Sequence, residues 1–174
     1  MDNFLRKINL VKDITIQLPV SKIDFTEKFR NNVDESDLSF VPFEVFQSSK
    51  NEYKGNIDGS AFELKKRRRL FDTNYSFAEV TGSLIEKNDN LVIDAEILGF
   101  KKRMIIIFAF IVLFYLIIFT AMLLGGDTIS FIFLPFLLFH MAIMLGIPYL
   151  VIRRSVNRMA YDLERDFHYW VTKN

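Results

Sequence analysis

The sequence contains no cysteine and only two histidines in its 174 residues. The absence of cysteine excludes a disulfide scaffold, a thiolate metal site and a cysteine nucleophile. Two histidines leave little for a zinc site, and we expect no metal and no cofactor. The net charge is +1, from 22 basic and 21 acidic residues. This balance excludes a globally basic nucleic-acid binder and a globally acidic chain.

Charge is missing from one long stretch of the chain. Between Met104 and Ile152 the only formally charged residue is Asp127, whereas the first 103 residues hold 17 basic and 17 acidic ones. Two apolar runs, about 104–124 and 129–152, are each long enough to cross a hydrocarbon core, which takes roughly 20 helical residues. Leu, Ile, Val and Phe contribute about −0.3 to −0.6 kcal/mol each at a helix centre, so insertion is favourable. Residues 101–152 are therefore predicted to form a transmembrane helical hairpin in the lipid bilayer.

Basic residues flank this hairpin on both sides, and its connecting loop has none. Lys101, Lys102 and Arg103 precede the first span, and Arg153, Arg154 and Arg158 follow the second. The link Gly125-Gly126-Asp127-Thr128 is short and breaks the helix, so the chain turns back directly. Because basic flanks stay in the cytoplasm, we expect a multi-pass inner (cytoplasmic) membrane protein with both termini cytoplasmic.

Residues 1–100 show the period of two that is typical of strands. The clearest alternation places Leu91, Ile93, Ala95 and Ile97 on one face. Further candidate strands lie near residues 14–18, 41–45, 53–57, 62–64 and 79–86, and turn-forming residues at 58–60 and 87–90 favour hairpins. We predict an α+β membrane protein whose cytosolic, antiparallel β-rich domain has about six strands.

Two helices are predicted outside the hairpin. Ser21 and Asp24 resemble a capping box, which indicates one short helix with Ile23, Phe29 and Val33 facing inward. After the second span, residues 153–174 continue as a cytosolic amphipathic helix with an apolar stripe. The partner of this stripe is the sheet, the headgroup region or another copy of the chain. The stripe consists of Val156, Met159, Leu163, Phe167 and Trp170.

The most conspicuous polar feature is a run of five basic residues, Lys65, Lys66, Arg67, Arg68 and Arg69. On a strand these charges alternate between faces, and an unpaired charge is strongly disfavoured in a dry core. The alternatives are attraction to an anionic membrane surface, a nucleotide or phosphate pocket, and nucleic-acid binding. The membrane anchor argues against nucleic acid. We expect an anion-facing surface that does not stabilise the fold.

The predicted spans contain few polar or small side chains. Tyr115 and His140 lie at nearly equal depth, so a phenol–imidazole hydrogen bond would satisfy both groups. A proton pathway needs several such groups in series, and the spans offer too few. Small residues four apart allow close helix approach within the hairpin or between copies. These small residues are Ala121 with Gly125, and Ala142 with Gly146.

Catalysis finds little support in the sequence. His168, the histidine outside the spans, lies on a charged terminal helix with no neighbouring nucleophile motif, so we expect no enzyme. We interpret the chain as a non-enzymatic membrane protein whose cytosolic domain binds a small anionic ligand or a protein partner. Its hairpin would anchor the domain or form a homo-oligomer.

These parts together resemble the two-transmembrane, β-domain effectors of bacterial antiphage signalling. The resemblance implies a membrane-perturbing effector of antiviral defence in which a nucleotide signal triggers assembly in the inner membrane. In those effectors the membrane helices precede the β-domain, whereas here they follow it. The order of strand, helix, antiparallel strands and final helix is also similar to helix-grip lipid-binding domains, which implies a lipid-handling or small enzyme domain.

Overall fold

The computed structural model describes residues 2–38, 46, 49–67, 76–87, 90–100, 102–125 and 128–173. The strands in this part of the chain are β1 (Val11–Leu18), β2 (Val33–Glu35), β3 (Tyr53–Asp58), β4 (Ala61–Lys66), β5 (Glu79–Lys87) and β6 (Asn90–Leu98). The helices are α1 (Asp2–Lys7), α2 (Lys22–Asn32), α3 (Lys102–Gly125) and α4 (Thr128–Thr172). The chain forms two compact units, a sheet unit of residues 1–99 with 152–174 and a hairpin unit of residues 100–151.

The strands form one six-stranded sheet in the order β1-β6-β5-β4-β3-β2. Neighbouring strands are antiparallel except β2 and β3, which run parallel. The fold is therefore α+β with a mixed sheet, and the prediction of a wholly antiparallel sheet is wrong at this edge. Because this pair is parallel, β3 begins at the same end of the sheet as β2.

Most of the predicted strands are present in this sheet. The alternation in β6 places four side chains on the buried face of the sheet, namely Leu91, Ile93, Ala95 and Ile97. Along its length β6 pairs with β1 over eight residues. The predicted strand at 41–45 lies outside the described residues. The sequence did not predict β2, since its Val33 was assigned to the preceding helix.

Helix α2 begins at the predicted cap. The Ser21 Oγ accepts a hydrogen bond from the Asp24 backbone N–H at 3.2 Å and donates one to Asp24 Oδ2 at 2.7 Å. Phe25 and Phe29 are buried, but Ile23 is 80% exposed, so its predicted inward orientation is wrong. Ile23 and Phe25 are two residues apart, about 200° around a helix, and therefore lie on opposite faces.

The part of α4 from Ile152 onward packs on the apolar face of the sheet. Its predicted stripe is buried, and the Phe167 ring centroid lies 5.2 Å from that of Phe25 and 6.1 Å from that of Phe62. The sheet is therefore the partner of the stripe. The terminal helical segment belongs to the same unit as the strands, and α4 continues without a break through Pro135 and Pro148.

The hairpin unit consists of α3 and the first part of α4. Both helices are long and apolar enough to cross a membrane. Only 6% of the apolar window of each helix is buried inside the molecule, so nearly all of these side chains point outward.

Candidate functional site

The described part of the basic run lies at the end of β4. Lys65 and Lys66 end the strand and point to opposite sheet faces, and Lys66 shares the buried face with Phe62 and Leu64. Arg67 follows directly, whereas Arg68 and Arg69 lie outside the described residues. Each of the three described residues has a partner elsewhere in the sheet unit.

Lys66 forms a buried ion pair with α4. Its Nζ lies 3.0 Å from Asp162 Oδ2, and only 9% and 7% of the two side chains are exposed. Glu52 Oε2 lies farther from this ammonium, at 3.7 Å, and is more exposed. A buried ammonium is tolerated only beside a compensating charge, so Asp162 explains how Lys66 faces the core.

A second contact joins β3 to α4 one helical turn farther on. The Tyr53 hydroxyl donates a hydrogen bond of 2.6 Å to Asp166 Oδ2, and Arg165 Nε lies 2.8 Å from Asp166 Oδ1. Burial, reinforced by the hydrogen bond to the Asp166 carboxylate, raises the pKa of Tyr53 well above its usual value. The hydrogen bond to Asp166 likewise raises the pKa of Arg165.

Arg67 pairs with Asp34 of β2, on the sheet face opposite α2 and the terminal part of α4. Asp34 also accepts hydrogen bonds from Ser49 Oγ at 2.6 Å and Asn51 Nδ2 at 2.8 Å. Burial acts to raise the pKa of Asp34, but the hydrogen bonds from Ser49, Asn51 and Arg67 outweigh it and lower that pKa. These contacts fix the short strand β2 at the edge of the sheet.

The basic run therefore has a role in the fold that the sequence did not predict. Lys66 and Arg67 form ion pairs, and Lys65 Nζ donates a hydrogen bond of 2.6 Å to the Leu38 carbonyl. Binding of an anion by the run stays a prediction, and it now concerns mainly Arg68 and Arg69. Asp162 stands beside the apolar stripe of α4, but nothing in its local sequence identifies Lys66 as its partner.

Two buried serines make a further contact that sequence reasoning missed. The Ser155 Oγ of α4 accepts hydrogen bonds from the backbone N–H groups of Phe77, at 2.7 Å, and Ala78, at 3.2 Å. The Ser76 hydroxyl lies 2.9 Å from the same oxygen. Together they hold the entry to β5 against α4.

The space between the sheet and α4 is filled by aromatic rings. Phe29 packs edge-on against Phe62 at 5.8 Å and against Trp170 at 6.3 Å, and Trp170 also contacts Tyr53 at 5.9 Å. A Cβ added at Gly82 would lie 2.5 Å from the Phe62 ring, so this core has no room for even a methyl group at that point.

The hairpin unit brings together the two polar residues singled out in the sequence. Tyr115 Oη lies 2.5 Å from His140 Nδ1, and the Tyr115 side chain is buried. The Phe136 ring stacks on His140 with a centroid distance of 6.4 Å. The contact satisfies both polar groups within the apolar segment.

The small residues of the hairpin are not in tight contact with the other helix. Apart from the adjoining turns of its own helix, no described residue has an atom within 4 Å of the Cβ position at Gly125 or Gly146. Ala121 and Ala142 are exposed. Close helix approach through these small residues stays a prediction.

The flanking basic residues lie at the ends of the two long helices. Lys102 and Arg103 begin α3, and Lys101 lies outside the described residues. In α4, Arg153 and Arg154 are exposed and Arg158 is half-buried. His168 is exposed near the end of the same helix.

Two carboxylates of β6 lie on the face of the sheet opposite its buried side chains, which we call the open face, and both are paired with neighbours. Asp94 accepts a 2.7 Å hydrogen bond from Thr15, and Glu96 pairs with Arg6 at 2.8 Å. In the part of the chain that the structure describes, no group of three His, Cys, Asp or Glu side chains is arranged to hold a metal ion.

Comparison with known proteins gave no significant match to a family model, a curated protein or a solved structure.

Proposed function

We propose that the chain is an integral protein of the inner (cytoplasmic) membrane that holds a cytosolic binding domain at the membrane surface. The observation that carries this proposal is the composition of the sheet unit, which combines residues 1–99 with residues 152–174. Segments that pack into one core lie on the same side of a membrane. The chain between them therefore crosses an even number of times, as a two-helix hairpin does.

The apolar surface of the hairpin supports the bilayer as its surroundings. Side chains such as Phe110, Phe136 and Leu150 are each more than half exposed. In water this surface would be strongly unfavourable, whereas in hydrocarbon it is solvated and the helical backbone is satisfied internally.

The orientation of the protein rests on its basic flanks. Lys102 and Arg103 begin α3, and Arg153 and Arg154 stand where α4 joins the sheet unit. The link between α3 and α4 carries no Lys or Arg. The positive-inside rule then places the sheet unit in the cytoplasm.

In this proposal the sheet unit binds its ligand at its surface. The filled aromatic interface between sheet and α4 favours an external binding surface over an enclosed lipid or substrate cavity. Arg68 and Arg69, which follow the paired part of the basic run, favour a small anionic ligand such as a phosphate compound.

Self-assembly of hairpins into a membrane-perturbing effector is a second candidate function. The observation in its favour is the open surface at Gly125 and Gly146, where another helix would find room for close approach. Overexpression would then depolarise the membrane, and Gly146→Leu would abolish this effect while leaving the amount of membrane-inserted protein unchanged.

Membrane anchoring is tested by comparing the full chain with a variant in which a short Gly-Ser linker replaces residues 100–151. A short linker is sufficient because Gly99 and Ile152, the two residues that it joins, are neighbours in the structure. A Cβ atom built at Gly99 would lie 2.9 Å from Ile152 Cγ2. We expect the full chain to stay in the membrane fraction through an alkaline carbonate wash and the variant to be soluble and folded. Release of the full chain by carbonate would contradict the proposal.

The ligand class is tested on the same soluble variant with pyrophosphate as the probe. Calorimetry should detect binding that is lost in Arg68→Gln with Arg69→Gln. The matched control, Arg153→Gln with Arg154→Gln, removes the same charge and should retain it. Equal binding by both double variants would contradict a specific anion site at the end of β4.

A further inference from the structure

One end of the sheet unit carries both of its junctions with the hairpin. The chain leaves this unit after Gly99 and returns to it at Ile152. The Gly99 N–H donates a 3.0 Å hydrogen bond to the Leu10 carbonyl, and a Cβ at Gly99 would lie 2.3 Å from Val156 Cγ2. The starts of β1 and β5 lie at this end too, since both pair with the last residue of β6. We refer to it as the junction end.

Two aromatic side chains at the junction end are partly exposed. Phe4 of α1 is 62% exposed and Phe77, just before β5, is 43% exposed. Leu5 is buried, and its carbonyl accepts a 2.9 Å hydrogen bond from the Leu10 N–H. Helix α1 is therefore fixed to the unit through Leu5, while the adjacent Phe4 is directed outward.

Three basic side chains near these aromatic rings are exposed, and the acidic residues of this end include Asp13, Glu96 and the half-buried Glu79. Lys7, Arg153 and Arg154 are exposed, whereas Arg6 pairs with Asp13 and Glu96. Two acidic side chains of this end are thus already neutralised. The hydrogen bond from Phe77 N–H to Ser155 Oγ places Phe77 next to the helical turn that bears Arg153 and Arg154.

The opposite end of the sheet unit provides a contrast. There Ile23 is 80% exposed, and Lys22 donates a 2.7 Å hydrogen bond to Ser60 beside the β3–β4 turn. The charges around Ile23 have both signs, since Asp24 and Asp58 lie at this end with Lys22. This end therefore has an exposed apolar side chain among charges of both signs.

We propose that the junction end of the sheet unit lies in the headgroup layer of an anionic membrane. Phe4 and Phe77 enter the boundary between headgroups and acyl chains, and Lys7, Arg153 and Arg154 contact lipid phosphates. Amphipathic surfaces of this kind bind interfaces through buried apolar area and attraction to anionic lipid. The inference rests on the proposed function, because the two junctions bring this end to the bilayer only if the hairpin spans it.

The absence of cysteine makes the test direct, because each introduced cysteine is the only thiol in the chain. The full chain with Phe4→Cys or Phe77→Cys is labelled with the fluorophore NBD and reconstituted into vesicles of phosphatidylcholine and phosphatidylglycerol. Spin-labelled lipids that quench at the headgroup or at mid-chain report depth. Ile23→Cys is the matched control, and Phe114→Cys, 58% exposed in the middle of α3, reports on the span.

We expect headgroup quenching at positions 4 and 77, mid-chain quenching at 114 and no quenching at 23. If positions 4 and 77 behave like 23 while 114 is quenched, the inference is wrong and the proposed function stands. If 114 is not quenched by mid-chain label, the proposed function fails first. Omitting phosphatidylglycerol, or introducing Arg153→Glu with Arg154→Glu, should reduce quenching at position 4. Unchanged quenching would overturn the role of charge.

Discussion

At the scale of residues, the stability of the sheet unit depends on charges that meet across long sequence separations. The Lys66–Asp162 pair joins residues 96 positions apart and is nearly excluded from water. In such a site the loss of one partner is much worse than the loss of both, because the remaining charge stays buried with only a longer and more exposed contact. This contact is Glu52 at 3.7 Å for Lys66 and Arg165 at 3.5 Å for Asp162.

A double-mutant cycle tests this asymmetry. Lys66→Met or Asp162→Leu alone should lower the free energy of unfolding by about 3–5 kcal/mol, whereas the two together should be close to neutral. Denaturant unfolding can be followed by the fluorescence of Trp170, the only tryptophan, which is buried in this unit. Lys22→Met, which removes an exposed hydrogen bond to Ser60, is the control. Additive losses in the double variant would contradict a coupled pair.

Tyr53 gives the unit a defined response to alkaline pH. Its pKa is raised above the usual value of 10.0. The unfolded state therefore loses the phenol proton at a lower pH than the folded state. The stability that Tyr53 contributes is fully present below pH 10 and is lost as the pH rises from there toward the folded-state pKa.

Tyr53→Phe should therefore make the fall in stability above pH 10 less steep. At pH 7 the variant should be about 1.5–3 kcal/mol less stable, because it lacks the hydrogen bond to the charged Asp166. Tyr161→Phe, at an exposed position of α4, is the matched control and should leave both properties almost unchanged. If the free energy of unfolding falls equally steeply above pH 10 in Tyr53→Phe and in the parent chain, the raised pKa of Tyr53 is not the cause of that fall.

At the scale of elements, Ser155 fixes α4 to the entry of β5. Ser155→Ala removes the 2.7 Å acceptor of the Phe77 N–H and one of the two acceptors of the Ala78 N–H, which also donates to Ser76 Oγ. Loss of such a hydrogen bond in a buried site costs about 1–3 kcal/mol. We expect faster hydrogen exchange at these two amides, measured by NMR or mass spectrometry on peptides covering 76–80. Ser83→Ala, on the open face of β5, should not change their exchange. Equal protection in both variants would show that α4 is held without this contact.

Much of the secondary structure could be predicted because its signals are local. The alternation from Leu91 to Ile97 and the Ser21 cap each depend on neighbours within one element, and both appear in the structure. The direction of a helical side chain is also a local property. Ile23 and Phe25 are about 200° apart around the helix axis, so the sequence spacing alone excludes burial of both on one face.

The contacts of the basic run could not be predicted from local pattern. Arg67 pairs with Asp34 and Lys66 with Asp162, and these partners become neighbours only through the strand order and the position of α4 on the sheet. The short strand β2 escaped prediction for the same reason, because three residues have little pattern of their own and depend on pairing with β3.

At the scale of the whole molecule, a pair of apolar helices interrupts one folded domain. The last strand of the sheet precedes the hairpin and the helix that covers the sheet follows it, so neither part of the sheet unit is complete without the other. Helix α4 contributes to both units as one continuous element. If the hairpin spans a membrane as proposed, its insertion and the completion of the sheet unit's core are linked through this single helix.

The central claim, that both halves of the sheet unit lie in the cytoplasm and the hairpin crosses the membrane twice, is tested by cysteine accessibility in intact spheroplasts. Asp58→Cys and Glu164→Cys report on the two halves, both at exposed positions, and Thr128→Cys reports on the start of α4. An impermeant maleimide should label position 128 from outside, and positions 58 and 164 only after the membrane is permeabilised. Labelling of 58 or 164 in intact spheroplasts, with 128 protected, would contradict the account.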